Sequence, residues 1–159
     1  MIWRDFEAAA PELARVGRGR FEATRVALLG TVRRDGSPRI SPVEPYFVNG
    51  ELLFGVMRSA KGVDLERDPR CALHSSVSDP NGSEGEFKLS GRAVLVSDAA
   101  LRDARPDTWW NSFPVEAATV YSLDVESAAF VGWNFENMTY ELTRWSQSAG
   151  VSKETAAYP

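Results

Sequence analysis

Three side chains within four residues, Arg58, Ser59 and Lys61, have the chemistry to hold an anion. They stand where an apolar run, Leu52 to Met57, gives way to a helical pattern from Ala60 to Arg67 that Asp68-Pro69 stops. Ser59 occupies the predicted N-cap, where a hydroxyl accepts a hydrogen bond from one of the orphan N–H groups of the first turn. Arg58 and Lys61 flank the same turn, where the helix dipole disfavours cations by roughly 0.3–1 kcal/mol each. An anion seated between them, a phosphate above all, reverses that penalty. The spacing alone leaves a second reading open, in which both cations are solvated surface residues.

Other sources of chemistry are scarce. One histidine, His74, and one cysteine, Cys71, do not make a zinc site of the usual kind. No D-x-D-x-D-G loop offers a calcium site, and no G-x-S-x-G elbow accompanies a serine. Neither a phosphate-binding G-x-x-x-x-G-K-[ST] loop nor a dinucleotide G-x-G-x-x-G follows a strand. His74 falls in a predicted strand, either as a ring satisfied by its neighbours or as a lone base. Cys71 lies in an apolar run and reads as a buried, inert thiol. An enzyme built on this sequence needs an organic cofactor to carry its reaction. Trp109, Trp110, Phe113, Trp133, Phe135, Tyr140 and Trp145 crowd the C-terminal third, as core and subunit contacts or as walls for a planar ring. Arg15, Arg18 and Arg20 form a basic cluster that reads as a solvated face or as an anion clamp.

The elements that would position these residues are mostly short strands. Trp3 to about Thr24 reads as helical, with Pro11 suited to the first turn of a second segment. Val26 to Val32 and Arg39 to Val48 form a hairpin across Asp35-Gly36, and Asn49-Gly50 makes a second turn into Glu51 to Met57. Pro38, Pro42 and Pro45 each remove a ladder donor and so place the second strand at an edge or a bulge, with backbone groups free for a flat ligand. Further strands are predicted over Arg70 to Val77, Glu86 to Val96 with a bulge at Gly91, Ala117 to Val125, Ala129 to Trp133 and Met138 to Trp145. Asp98 to Arg105 reads as a short capped helix. Residues 1–145 are expected to form one domain and 146–159 a polar, flexible tail. The inventory is six or seven mostly antiparallel strands with two or three short helices, a mainly β (α+β) arrangement around a small barrel.

Composition narrows the classes. With 159 residues, 43% hydrophobic and 25% charged, the chain is that of an ordinary globular domain with a sizeable core. A net charge of −4 and a pI near 5.1 supply no basic field for nucleic acid. The single cysteine allows no internal disulfide and fits a reducing compartment. No run approaches the ~18 apolar residues of a membrane span, and the opening MIWRDFEAAA lacks the pattern of a signal peptide, so a cytoplasmic location is expected.

The order of motifs carries a family likeness. Asp35-Gly36-Ser37-Pro38, then Ser59-Ala60-Lys61, then Leu65-Glu66-Arg67-Asp68-Pro69-Arg70, and later KLSGRAVLVSD from Lys88 to Asp98, resemble the pyridoxamine 5′-phosphate oxidase-like split-barrel superfamily. The likeness is nearest to its actinobacterial branch of flavin- or deazaflavin (F420)-dependent oxidoreductases. It implies an antiparallel split β-barrel that forms a homodimer, with a flavin in each of two clefts between subunits. It also implies that Arg58, Ser59 and Lys61 hold the cofactor phosphate, while Arg39, Ser41, Pro42 and Val43, with Met57 beside them, lie along the ring system and its polyol chain. Trp109, Trp110, Trp133 and Trp145 become candidates for a partner-subunit or substrate wall. The expected cofactor is FMN or F420, with haem as the alternative found among relatives. F420 has an acidic tail that Arg15, Arg18 and Arg20 could meet. No catalytic side chain, metal, nucleic acid or membrane is expected. The activity implied is hydride transfer to or from a small organic substrate; the alternatives are a flavin carrier or sensor, a haem-binding relative, and a barrel that acts by protein contact alone.

Overall fold

A computed structural model describes residues 1–104 and 118–158. Strand β1 (Ala27–Val32) turns at Asp35-Gly36 into β2 (Pro38–Val43), with Thr31 opposite Arg39 and Ala27 opposite Val43. The chain does not return as the single strand expected from Arg39 to Val48. It breaks at Glu44, and β3 (Pro45–Val48) pairs instead with β4 (Glu51–Met57) across Asn49-Gly50, whose φ angles are +50° and +83°. Pro45 has no ladder N–H to donate, and the chain changes its pairing partner there from β1 to β4. With β5 (Arg70–Ser75), β6 (Glu86–Leu95) and β7 (Ala118–Asn134), the sheet runs β2-β1-β5-β6-β7-β4-β3, all antiparallel. The proline-bearing strands are thus its two ends, where a missing donor costs least.

Strand β7 is the spine. Two strands were expected there, Ala117 to Val125 and Ala129 to Trp133, but a single strand of 17 residues forms. One edge pairs with β6 from Tyr121 to Val131. The other is shared: Ala118 to Ser122 faces β4, and Ser127 to Asn134 faces β8 (Thr139–Ser146). At the gap between these partners the Val125 N–H donates to Met1 O at 2.8 Å and the Gln147 side chain donates to Val125 O at 2.9 Å. Backbone groups that the divided pairing leaves over are satisfied locally. The predicted bulge is present as a register shift between Ser90 and Gly91, where a Cβ on Gly91 would lie 2.0 Å from Asp124 O.

Residues expected as a flexible tail form β9 (Gly150–Ala157), paired with β8 along its length. Nearly every β9 residue is exposed. Its pairing therefore rests on the backbone ladder and leaves no apolar period to read. The described residues hold nine strands, against the six or seven expected, and four helices, against two or three: α1 (Trp3–Ala9), α2 (Pro11–Thr24), α3 (Ala60–Arg67) and α4 (Ala99–Asp103). Ala10, at φ −144°, separates α1 from α2 because the residue before a proline is pushed out of the helical region.

Helices α1 and α2 close over the sheet. Trp3, Phe6, Phe87, Leu29, Leu52, Leu73, Leu89 and Leu123 are all 0% exposed. Trp3 meets Phe6 and Phe47 edge-on at 5.2 and 4.8 Å, and Phe21 meets Phe87 at 5.6 Å. Small α3 lies apart, packed on β1 and β4, with Arg58 to Lys61 at its start. Trp109, Trp110 and Phe113 lie outside the described residues. No helix among the described residues is long and apolar enough to cross a membrane.

Candidate functional site

The junction of β4 and α3 forms as the sequence predicts, with α3 over Ala60–Arg67 and Ser59 at its N-cap in an extended conformation. One expectation fails: the Ser59 hydroxyl makes no capping bond. Its Oγ is buried and finds no hydrogen-bond partner among the described residues. The first N–H groups of α3 also lack intrahelical acceptors, as in any helix. Arg58 is exposed. Lys61 is half-buried, and its Nζ donates to Pro42 O at 2.8 Å, bridging α3 to β2. Burial pushes the Lys61 ammonium below its ordinary pKa. A buried hydroxyl, free helical N–H groups and the cations Arg58 and Lys61 are neighbours at this helix start.

Arg39 takes a different position from its neighbours. Its Nε donates to Asp64 Oδ2 at 2.7 Å, and Thr31 Oγ1 donates to the same oxygen at 3.0 Å. Arg67 approaches the other Asp64 oxygen at 3.8 Å. These donors, the Arg39 hydrogen bond foremost, hold the Asp64 carboxyl below the usual carboxylate range. Asp64 is 6% exposed and sits on the inner side of α3. The cluster fixes α3 against β1 and β2, and so fixes the height of Lys61 over Pro42. Ser41 shares the Arg39 face of β2, opposite Leu29.

A cavity of about 210 Å³ opens beside this junction. Val26, Pro42, Val43, Gly55 and Met57 make its apolar walls, and Lys61 and Glu44 are its charged residues. Pro42, Val43, Met57 and Lys61 are thus brought together around one space. Arg39 and Ser41 are not in its lining, and neither are Arg58 and Ser59. Glu44 was not anticipated as a site residue. The available signal was a carboxylate at the break between prolines, in a strand otherwise free of acids. Asp64 was missed for a plainer reason, since an aspartate in an amphipathic helix reads as surface.

The remaining candidates are engaged elsewhere. Arg15 pairs with Glu12 at 3.1 Å, Arg18 with Glu7 and Glu22 at 3.6 and 3.7 Å, and Arg20 with Glu84 at 2.8 Å. Arg18 also stacks over Phe47 at 4.2 Å. His74 has Nδ1 2.7 Å from Ser75 O and Nε2 3.4 Å from Glu86. Burial pushes the Cys71 thiol up to about 12, an inert group at neutral pH. Trp145 is 3% exposed and packs against Phe6 at 4.9 Å. Trp133 lies on β7 against the loop at Gly82, where a Cβ would come within 3.3 Å of the indole. Among the described residues no group of three or more His, Cys, Asp or Glu side chains could hold a metal.

The likeness to known proteins is clear at the level of family and fold. The sequence pattern of pyridoxamine 5′-phosphate oxidase matches residues 17–121, well over half of the chain. No curated protein matches. Solved structures share the fold at low identity. A protein of Clostridium acetobutylicum related to general stress protein 26, of the pyridoxinephosphate oxidase family, is 15% identical with a TM-score of 0.65, covering 86% of this chain and 94% of its own. A pyridoxamine 5′-phosphate oxidase-related, FMN-binding protein of Nostoc punctiforme is 18% identical with a TM-score of 0.62, covering 92% and 96%. A haem-binding protein of Mycobacterium smegmatis is 15% identical with a TM-score of 0.62, covering 90% of each chain. The pattern match spans β1 to α3 and the strands that carry the cavity, and by it this chain belongs to the pyridoxamine 5′-phosphate oxidase family.

Proposed function

We propose that the protein is a homodimeric flavin- or deazaflavin-dependent oxidoreductase that binds FMN or F420 and passes a hydride to or from a small organic substrate. The observation that carries this reading is the Ser59 hydroxyl, buried at the positive end of α3 without a partner among the described residues, with Arg58 and Lys61 beside it in the chain. Those donors fit a phosphate, which both cofactors have. Arg58, Ser59 and Lys61 hold it, with Lys61 turning from Pro42 O toward the anion. Pro42, Val43 and Met57 give the ring system apolar walls and keep water from it. Arg39 acts through Asp64 as a positioning residue that holds α3 in place. When bound, the cofactor supplies the hydride chemistry. Dimerisation finds support in Ile40, 70% exposed, and Leu28, 40% exposed, on the outer face of β1 and β2 beside the cavity.

The haem reading draws less support, because the single imidazole has both nitrogens against acceptors. The actinobacterial F420 branch would gain from free cations near the cleft, yet Arg15, Arg18 and Arg20 are each paired with carboxylates. The reading is tested by titrating the purified protein with FMN and with F420 and recording visible spectra. Flavin bands or quenched F420 fluorescence support it, and a Soret band on added haemin without flavin binding refutes it. Lys61→Ala weakens whichever cofactor binds by about 10- to 100-fold, the loss of one charge-assisted bond. Turnover with quinones, enones or tetrapyrroles and reduced cofactor separates an oxidoreductase from a carrier.

A further inference from the structure

Glu44 lines the same cavity as Lys61 and Met57 but has no role in the phosphate site. It sits at the break between β2 and β3, followed by buried Pro45 and preceded by Val43, which is 5% exposed. Its Oε2 is shielded from solvent and has no hydrogen-bond partner among the described residues. Lys61, the one cation among the described residues of the lining, donates to Pro42 O instead. A shielded carboxylate oxygen without a donor bears a desolvation cost that apolar walls do not return, and a donor on a ligand removes it.

We infer that Glu44 accepts a hydrogen bond from an N–H or O–H group of the ligand in this cavity, and thereby selects a flavin or deazaflavin over haem. The inference rests on the cofactor reading above. Flavin and deazaflavin rings carry an imide N–H and a side chain of hydroxyls, so a donor is always available. Haem presents ionised propionates at its edge and no comparable donor. It would leave Oε2 unpaired and set like charges near one another, which is discrimination by an unmet polar group and by repulsion.

The test titrates wild-type protein, Glu44→Gln and Glu44→Ala with FMN and, separately, with haemin, with circular dichroism reporting the fold. Glu44→Ala weakens FMN binding by about 10- to 100-fold. Glu44→Gln, which keeps an acceptor oxygen without the charge, weakens it less and decides the matter if the alanine variant does not fold. Haemin binding is unchanged or tighter in both. Wild-type FMN affinity in both variants overturns the role of Glu44, as does a haemin affinity that falls in parallel. Failure of the unaltered protein to bind either FMN or F420 overturns the cofactor reading itself and takes this role with it.

Discussion

Two glycines on one helix should answer the same substitution with opposite signs. Gly17 and Gly19 both lie in α2, where replacing glycine by alanine ordinarily stabilises by about 1 kcal/mol. Gly19 is exposed, and a Cβ there meets nothing within 4 Å. A Cβ on buried Gly17 would lie 2.2, 2.4 and 2.7 Å from three ring carbons of Phe87. That ring is 0% exposed and is held edge-on against Phe21 at 5.6 Å, so it has no space to retreat into. Overpacking of this kind costs about 3 kcal/mol at the upper end of its usual range, and outweighs the helix gain by about 2 kcal/mol. For a domain of this size each kcal/mol moves Tm by about 2–4 °C. Gly17→Ala should therefore melt about 4–8 °C lower, and Gly19→Ala about 2–4 °C higher. Thermal melts of the two variants beside the wild type decide it. A Gly17→Ala protein as stable as the wild type, or a shift of the same sign in both, refutes the packing of α2 on β6.

Asp64→Asn should lower Tm and also weaken FMN binding, since Asp64 holds α3 through Arg39 and Thr31; equal Tm for the variant and the wild type would show that the cluster does not secure the helix. Because the Asp64 pKa is depressed on folding, its contribution is complete above its unfolded value of 3.8 and is lost only as pH falls through the lower folded one. Glu84 behaves alike in the loop before β6. The Asp79 and Ser78 N–H groups and then Arg20 hold its carboxyl down to about 2 from 4.5, so its share of stability is present above pH 4.5 and disappears between there and pH 2. Hydrogen exchange in residues 78–85 should rise over that window, and Glu84→Gln should abolish the dependence. Cys71, pushed up to about 12 and buried, should resist a thiol reagent at pH 8 until the protein is unfolded; prompt reaction in the native state would contradict its placement.

Helix α3 and both hairpin turns are legible in the sequence because their signals are local. Asp68-Pro69 stops α3 wherever the helix packs, and Asn49-Gly50 takes positive φ at both positions with little strain. The cluster Arg58, Ser59 and Lys61 is legible for the same reason, as three neighbours at one helix start. The strand β9 is not, since exposure on both faces leaves no periodicity and only the free edge of β8 draws it in. The single strand β7 is equally hidden, because its length comes from serving β4 and β8 in turn on one edge.

The site divides in the same way. Residue type and order specify which groups can meet an anion, and the donors at Arg58 to Lys61 follow from a turn a few residues long. What those groups do in the folded chain depends on neighbours far away in sequence. Arg39 has Asp64 as its partner and so braces a helix, Lys61 reaches Pro42, and Trp145 turns into the core against Phe6. Ser59 and Glu44 each keep a buried oxygen without a partner among the described residues, and no spacing along the chain could reveal that. A hydrogen bond made or left unmade is a property of three-dimensional proximity and exclusion of water, which only the packed sheet and its helices supply.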